Sequence, residues 1–270
     1  MEMTWLGVGS AFTLPAIDAA GEVDLNTCDF QTNAMIRSES GKIMLIDCGS
    51  DIRFALAKVA KIFPKDYGDI DAVYLSHLHA DHVGGIEAVA FCTCFNPNAS
   101  KPKLYANHSL MVEAWEKSLR GGLESIQGDV VSLTHYFDCH PIEDNQQFMW
   151  EGILFTPVQT VHVVSGFIIK HSYGLLMQDQ TKVEPQTVFL TTDTQFAPNQ
   201  IMDFYAKSDV IFHDCETSQF SSKVHSHFRE LAGLPDGIRQ RMWLLHYQPG
   251  DLPDATGFAG FVRRGQVFEF

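Results

Sequence analysis

Short apolar runs, each bounded by polar or small residues, dominate the hydrophobic pattern of this chain. Residues 72–76 form one such run, and residues 187–192, 209–212 and 243–245 form three more. Runs of this kind predict buried strands. Between them lie segments with helical periodicity, and segment 51–63 carries a predicted buried stripe of Phe54, Leu56, Val59, Ala60 and Phe63. Strands that alternate with helices predict an α/β fold.

The other predicted elements are mainly hairpin strands and their connections. Residues 32–37 and 42–47 predict two strands joined by a turn at Glu39-Ser40-Gly41. Residues 13–29 have the composition of a loop. No Pro/Gly/Ser-rich linker divides the chain, so we expect one domain over residues 1–270. We expect helices near 85–92 and 109–119, and further strands near 131–136, 147–150, 153–158, 166–171, 174–178 and 267–270.

Three histidines and one aspartate are concentrated in His77-Leu78-His79-Ala80-Asp81-His82, directly after the predicted strand 72–76. Neutral imidazole and carboxylate are common ligands of zinc, iron and manganese. Alternate residues of an extended segment point to one side, so His77 and His79 can reach one ion. Asp81 and His82 lie where the chain turns and can reach a second ion. The segment therefore predicts a two-metal site at the carboxyl end of a strand, where open α/β sheets place their ligands.

This motif resembles the His-x-His-x-Asp-His signature of the metallo-β-lactamase superfamily. The resemblance implies a four-layer αββα sandwich, in which two mixed sheets pack face to face with helices outside. It also implies further ligands, in order, at later strand ends. On this basis His77, His79 and His162 would bind the first ion, Asp81, His82 and His246 would bind the second, and Asp193 would bridge the two. We expect zinc, with iron or manganese as alternatives.

The charge of the chain limits its partners. Its net charge is −14, and two divalent cations would reduce this to about −10. A field of this sign repels polyanions, and the lysines and arginines form no basic patch, so we expect a small-molecule substrate and no long nucleic acid. The sequence carries no secretory signal or transmembrane run, which favours the cytoplasm and no membrane partner. The resemblance also allows a homodimer.

The six cysteines are too sparse for a disulfide scaffold. Cys92 and Cys94 have no second cysteine pair with which to form a structural zinc site, so we interpret them as small buried side chains. Cys215 receives no assigned role.

Two further segments resemble tRNase Z and related small phosphodiesterases of the superfamily. The first, Phe212-His213-Asp214-Cys215-Glu216-Thr217, suggests His213 as the donor of a proton to the leaving oxygen, although it is one residue longer than the family pattern. The second, around His225, suggests a contact with substrate. Asp81 would orient or deprotonate the attacking water.

The sequence therefore predicts a dinuclear hydrolase, most simply a phosphodiesterase that attacks a small substrate such as a cyclic nucleotide with a metal-bridging hydroxide. Two alternatives stay open. One is a non-hydrolytic di-iron protein that binds oxygen or acts as a redox sensor, and the other is a lactone or thioester hydrolase.

Overall fold

Two seven-stranded mixed sheets carry most of the strands in this computed structural model, which describes residues 1–17 and 20–270. Asp18 and Ala19, within the predicted loop 13–29, lie outside the described residues. The strands are β1 (Glu2–Gly7), β2 (Ala16–Ile17), β3 (Val23–Asp24), β4 (Asn33–Arg37), β5 (Ile43–Ile46), β6 (Ile70–Leu75), β7 (Lys103–Asn107), β8 (Ser125–Ile126), β9 (Asp129–Val130), β10 (Asp138–Ile142), β11 (Phe148–Trp150), β12 (Ile153–Ser165), β13 (Ile168–Asp179), β14 (Val188–Leu190), β15 (Val210–Asp214), β16 (Met242–Leu245), β17 (Gly260–Phe261) and β18 (Val267–Glu269).

The first sheet has the order β10-β7-β6-β5-β4-β1-β18, and the second has the order β11-β12-β13-β14-β15-β16-β17. In the first sheet the pairings from β10 to β5 are parallel, and those from β5 to β18 are antiparallel. In the second sheet the pairings from β11 to β14 are antiparallel, and those from β14 to β17 are parallel. Each sheet therefore has a parallel half, whose strand ends can carry a site.

The helices connect the strands. They are α1 (Ile52–Ala55), α2 (Ala80–Val83), α3 (Ile86–Cys94), α4 (His108–Ala114), α5 (Arg120–Leu123), α6 (Leu133–Tyr136), α7 (Pro198–Lys207), α8 (Phe228–Leu231) and α9 (Asp236–Arg239). Two π-helical turns, Leu56–Ala60 and Trp115–Leu119, extend α1 and α4, and a 3-10 segment covers Pro64–Asp69. No helix of the described residues is long and apolar enough to cross a membrane.

Large side chains fill the space between the two sheets. The rings of Trp5 in β1 and Phe212 in β15 lie 5.1 Å apart, and Tyr74 in β6 donates a hydrogen bond of 3.0 Å to the carbonyl of Tyr173 in β13. Buried apolar residues of both sheets belong to one continuous core. Burial of apolar surface between the sheets is the main contribution to the stability of a sandwich. The predicted αββα metallo-β-lactamase fold is confirmed.

Three local predictions were wrong. Segment 133–136 is a helical turn and not a strand, because Leu133 and Tyr136 are spaced three residues apart and are buried together on one face. Phe54 and Phe63 are 49% and 46% exposed instead of buried. The π-helical turn at Leu56–Ala60 changes the phase of the helix, so the predicted stripe does not stay on one side.

Candidate metal centre

The predicted ligand residues converge from the two sheets on a single point. His77 follows β6 in the first sheet, and Asp81 and His82 lie in the short helix α2. From the second sheet come His162 within β12, Asp193 after β14 and His246 after β16. The structure brings these residues and His79 together in two groups, and within each group the nearest ligand atoms lie within 4.8 Å of one another.

The first group contains His77, His79, His162 and Asp193. His162 Nε2 lies 3.0 Å from His79 Nδ1 and 3.6 Å from Asp193 Oδ2. His77 Nε2 lies 3.6 Å from the same carboxylate oxygen. All of these residues are buried except His79, which is exposed. This group therefore has one side open to solvent.

The second group contains Asp81, His82, Asp193 and His246, all of them buried. His82 Nε2 lies 3.3 Å from Asp193 Oδ1 and 3.4 Å from Asp81 Oδ2. His246 Nε2 lies 3.4 Å from Asp193 Oδ2. Asp193 is therefore shared between the two groups, as a bridging carboxylate would be.

In four of the histidines, Nδ1 makes a hydrogen bond to the surrounding protein. These hydrogen bonds determine which ring nitrogen carries the proton. His162 Nδ1 donates to the Val224 carbonyl at 2.9 Å, and His82 Nδ1 donates to Asp47 at 2.8 Å. The Ser76 hydroxyl donates to Asp47 Oδ2 and therefore accepts from His77 Nδ1. With the proton on Nδ1, each Nε2 turns a lone pair toward the centre.

His246 is oriented by Thr32 in the same way. The Thr32 hydroxyl donates to the Gly9 carbonyl at 2.9 Å, so its free lone pair accepts from His246 Nδ1 at 3.1 Å. The second group therefore also presents the lone pair of His246 Nε2.

Buried atoms without protein partners test whether metal ions fit. His77 Nε2, His82 Nε2 and Asp193 Oδ2 are buried and make no hydrogen bond. Buried polar atoms are nearly always paired, so three such atoms at one point indicate a missing partner. Five imidazoles and two carboxylates form the donor set of a site for two divalent ions.

The backbone at these strand ends adopts uncommon conformations that aim the ligands. His246 and Asp47 have φ angles of 62° and Thr192, next to Asp193, has a φ of 53°. Left-handed backbone in residues other than glycine costs free energy and is concentrated at functional sites. In β12, the pairing with β13 shifts register between Val161 and Val163, and this bulge turns His162 toward the centre.

The buried charges interact strongly. Burial opposes ionisation of Asp193, but the imidazoles of His246, His82 and His77 outweigh it and hold its pKa well below the ordinary value. For Asp81, burial is likewise outweighed by His82, and the pKa falls to about 2. Burial lowers the pKa of His162 to about 4. Burial also lowers the pKa values of His77 and His246, whereas at His82 burial is outweighed by the carboxylates of Asp193, Asp81 and Asp47, which raise the pKa well above the ordinary value. The carboxylates of the cluster are therefore ionised, and three of its imidazoles are held neutral.

His225 lies at the edge of both groups. Its ring is 4.8 Å from that of His246 and 5.2 Å from that of His162, and its side chain is 16% exposed. His225 Nδ1 donates to Asp214 Oδ2 at 2.9 Å, which leaves Nε2 available to a substrate. Burial lowers the pKa of His225, but the Asp214 carboxylate outweighs this effect and raises it to about 10.

The catalytic role predicted for His213 is corrected by its position. His213 is fully buried, Nδ1 donates to the Asp214 carbonyl at 2.6 Å, and Nε2 accepts from the Tyr205 hydroxyl at 2.6 Å. Burial lowers the pKa of His213 to about 4. Strand β15 alternates its side chains, so Asp214 points to the site when His213 points away from it. His213 is therefore a buried structural residue, and its neighbour Asp214 orients His225 through a hydrogen bond.

Sequence reasoning missed four residues that orient site histidines: Asp47, Ser76, Thr32 and Asp214. Asp47 and Asp214 each end a buried strand, as Asp193 does, and that position was the available signal. Nothing in the sequence indicated that Thr32 would meet His246, because 214 positions separate the two residues.

The cysteines lie outside the two donor groups. Cys92 and Cys94 are half-buried in α3, and Cys94 Sγ is 3.4 Å from His135 Nε2. Cys215 is buried, and burial raises its pKa well above the ordinary value. A thiol held neutral in this way is inert.

A family model described as Anti-Pycsar protein Apyc1 matches residues 1–268 of the chain. The chain belongs to this family. The Anti-Pycsar protein Apyc1 of Paenibacillus harenae is 33% identical over 266 residues, which cover 97% of this chain and 96% of the relative. The Apyc1 protein of Paenibacillus sp. (strain J14) is 31% identical over 244 residues, which cover 88% of this chain and 92% of the relative.

Solved structures show the same fold. The metallo-beta-lactamase fold protein YhfI from Bacillus subtilis has a TM-score of 0.70 and 17% sequence identity, with 99% of this chain and 98% of that chain covered. Family, fold and donor set together support a metal-dependent hydrolase as the general class of this Apyc1 family member.

Proposed function

We propose that the chain is a dinuclear metal-dependent phosphodiesterase that opens a small phosphodiester such as a cyclic nucleotide. The observation that carries the proposal is the His225–Asp214 pair beside the shared Asp193. A phosphodiester with an alkoxide leaving group needs a proton donor on the side opposite the nucleophile. An imidazole that is anchored by a carboxylate and partly open to solvent meets this need.

The residues take distinct roles in this proposal. His77, His79 and His162 hold one ion, Asp81, His82 and His246 hold the other, and Asp193 is common to both. When bound, two divalent ions supply activation of water near neutral pH and stabilisation of charge on the phosphoryl oxygens. We expect zinc, with iron or manganese as alternatives.

Asp81 and His225 contact the attacking water and the leaving oxygen, respectively, in the proposed reaction. Asp81 stays ionised because of His82, so it can accept a hydrogen bond from the attacking water and orient it. His225 donates its Nε2 proton to the departing ribose oxygen. Asp214 keeps the ring oriented and stabilises its charged form.

The small size of the substrate is part of the proposal. The chain has a net charge of −14, which disfavours a long polyanion. A small-molecule substrate, the absence of a long nucleic acid partner and a homodimer stay predictions.

The test combines metal analysis with turnover. Protein purified without added metal is analysed for metal content and visible absorbance, then assayed on 3′,5′-cyclic nucleotides and on bis(p-nitrophenyl) phosphate. We expect two ions per chain and hydrolysis of both substrates. Two irons with a visible band that responds to oxygen, and no turnover, would favour the di-iron sensor. Turnover of lactones or thioesters alone would favour the carbonyl hydrolase.

A further inference from the structure

A cleft of about 250 Å³ opens beside the first ligand group. Its floor is the segment 77–79, which carries two of the site histidines. One wall comes from β12 and β13, and the other comes from α4 and the π-helical turn Trp115–Leu119. Any group attached to a phosphate at the site has this cleft as a neighbouring space.

Two leucines and the faces of two histidine rings give part of the cleft an apolar surface. Leu78 is half-buried in the floor, and Leu110 on α4 is 7% exposed. The rings of His79 and His162 add flat surfaces, and their centroids lie 4.7 Å apart. Such walls favour a flat apolar face over a hydrated chain.

The edge of the cleft is polar and offers both donors and acceptors. His171 Nδ1 donates to the Thr160 carbonyl at 3.2 Å, which leaves its Nε2 as an acceptor. Lys117 and Lys170 supply N–H donors, and Ser118 supplies a hydroxyl that can do either. A ligand with a flat apolar face and a mixed donor and acceptor edge fits these groups.

Charge argues against a second phosphate in the cleft. Lys117 Nζ lies 2.8 Å from Glu113 Oε1, and Lys170 Nζ lies 3.1 Å from Glu113 Oε2. The carboxylate between the two lysines leaves the rim with a net charge of only +1, on side chains that are half exposed to water. An anion gains little at such a rim.

We propose that this cleft binds the nucleobase of the substrate and so sets its preference for nucleotides over smaller phosphodiesters. The inference rests on the proposed phosphodiesterase function and adds a binding site to it. A ring system placed here lies beside the first ligand group, while the sugar oxygens remain within reach of His225. The cleft volume of about 250 Å³ lies just below the range of about 300–1,000 Å³ for pockets that bind drug-sized ligands. It therefore suits a smaller group such as a single base.

The test is to fill the cleft from an exposed position. Ser118 is exposed on the π-helical turn, so Ser118→Trp adds a large ring to the cleft without displacing core residues. Val112→Trp is the matched control, because Val112 is 52% exposed on the same helical segment and lies outside the cleft. Both variants are compared with the parent in kcat/KM on a cyclic nucleotide and on the abasic 3′,5′-cyclic phosphate of ribose, which keeps the sugar and the diester but has no base.

We expect the ratio of the two kcat/KM values to fall at least tenfold in Ser118→Trp, mainly through KM for the cyclic nucleotide, and to be unchanged in Val112→Trp. An unchanged ratio in Ser118→Trp, with the parent active on both substrates, would overturn the inference and leave the phosphodiesterase proposal intact.

Nucleoside binding separates the two proposals further. Uridine and adenosine carry no phosphate, and their binding is measured by calorimetry with the metal-loaded protein. If the parent hydrolyses no diester but binds nucleosides, and Ser118→Trp abolishes that binding, the cleft assignment stands and the function is wrong. Nucleoside binding that is equal in the parent and in Ser118→Trp would overturn the cleft assignment.

Discussion

His213 provides a test that separates a structural histidine from a catalytic one. Its side chain is fully buried between the Tyr205 hydroxyl and the Asp214 carbonyl, and burial lowers its pKa from 6.5 to about 4. In the unfolded chain the same imidazole titrates near 6.5. Between these two values the unfolded chain binds a proton that the folded protein does not, so stability falls as the pH falls.

The magnitude follows from the two pKa values. One pKa unit corresponds to about 1.4 kcal/mol, so the window from 6.5 down to about 4 costs roughly 3 kcal/mol of unfolding free energy. The contribution is fully present above pH 6.5 and is lost progressively as the pH decreases toward 4. His213→Gln keeps a hydrogen-bond donor and an acceptor but cannot titrate. Its unfolding free energy therefore does not decrease over this pH range on account of residue 213.

The assay is urea unfolding of the parent, His213→Gln and Tyr205→Phe near pH 7 and near pH 4, with a chelator in all samples so that metal release affects each equally. We expect the stability advantage of the parent over His213→Gln to shrink by about 3 kcal/mol on acidification. Tyr205→Phe retains the imidazole and should keep the steep pH dependence of the parent.

Two results would refute this reasoning. Parallel pH dependences for the parent and His213→Gln would show that His213 does not titrate as a buried neutral group. A loss of kcat by more than a hundredfold in folded, metal-saturated His213→Gln would indicate that His213 donates the proton to the leaving group after all.

Three further substitutions test the site itself. Asp193→Ala should lose both ions, because the carboxylate is shared by the two groups, and two ions per chain by mass spectrometry would contradict the shared ligand. His225→Ala should reduce kcat on a cyclic nucleotide by about 10²–10⁴-fold but affect p-nitrophenyl esters much less, because p-nitrophenolate leaves without a proton; equal losses on both would argue against proton donation. Thr32→Val should weaken binding of the second ion by about 10–100-fold, as measured by competition with a chromophoric chelator, whereas Thr32→Ser should retain it. Unchanged affinity in Thr32→Val would mean that the hydroxyl does not orient His246.

The sequence was most informative where chemistry and strand ends coincide. The segment 77–82 places its ligands in both groups, and the later candidates His162, Asp193 and His246 join them. Buried strands carry a strong hydrophobic pattern, and a polar residue at the end of such a strand stands out against it. The hydrophobic pattern marked these strand ends as candidates, and the resemblance to the metallo-β-lactamase superfamily supplied their division into two groups.

Side-chain direction within a short strand was harder to predict. His213 and Asp214 are neighbours, and alternation along β15 decides which of them reaches the site. Which residues of β15 point to which side depends on the packing of Phe212 against Trp5, a contact between distant parts of the chain. The bulge at His162 likewise depends on the register of β12 with β13, and a single sequence does not specify that register.

The ligand residues come from both sheets, so metal binding would also affect the stability of the protein. His77, Asp81 and His82 belong to one layer of the sandwich, whereas Asp193 and His246 belong to the other, so bound ions act as cross-links between two halves of the molecule. Each ion present at a thousand times its dissociation constant would add about 4 kcal/mol to the unfolding free energy. Metal supply in the cell would then regulate the lifetime of the protein against proteolysis, in addition to its activity, and chains that fail to acquire ions would be removed first.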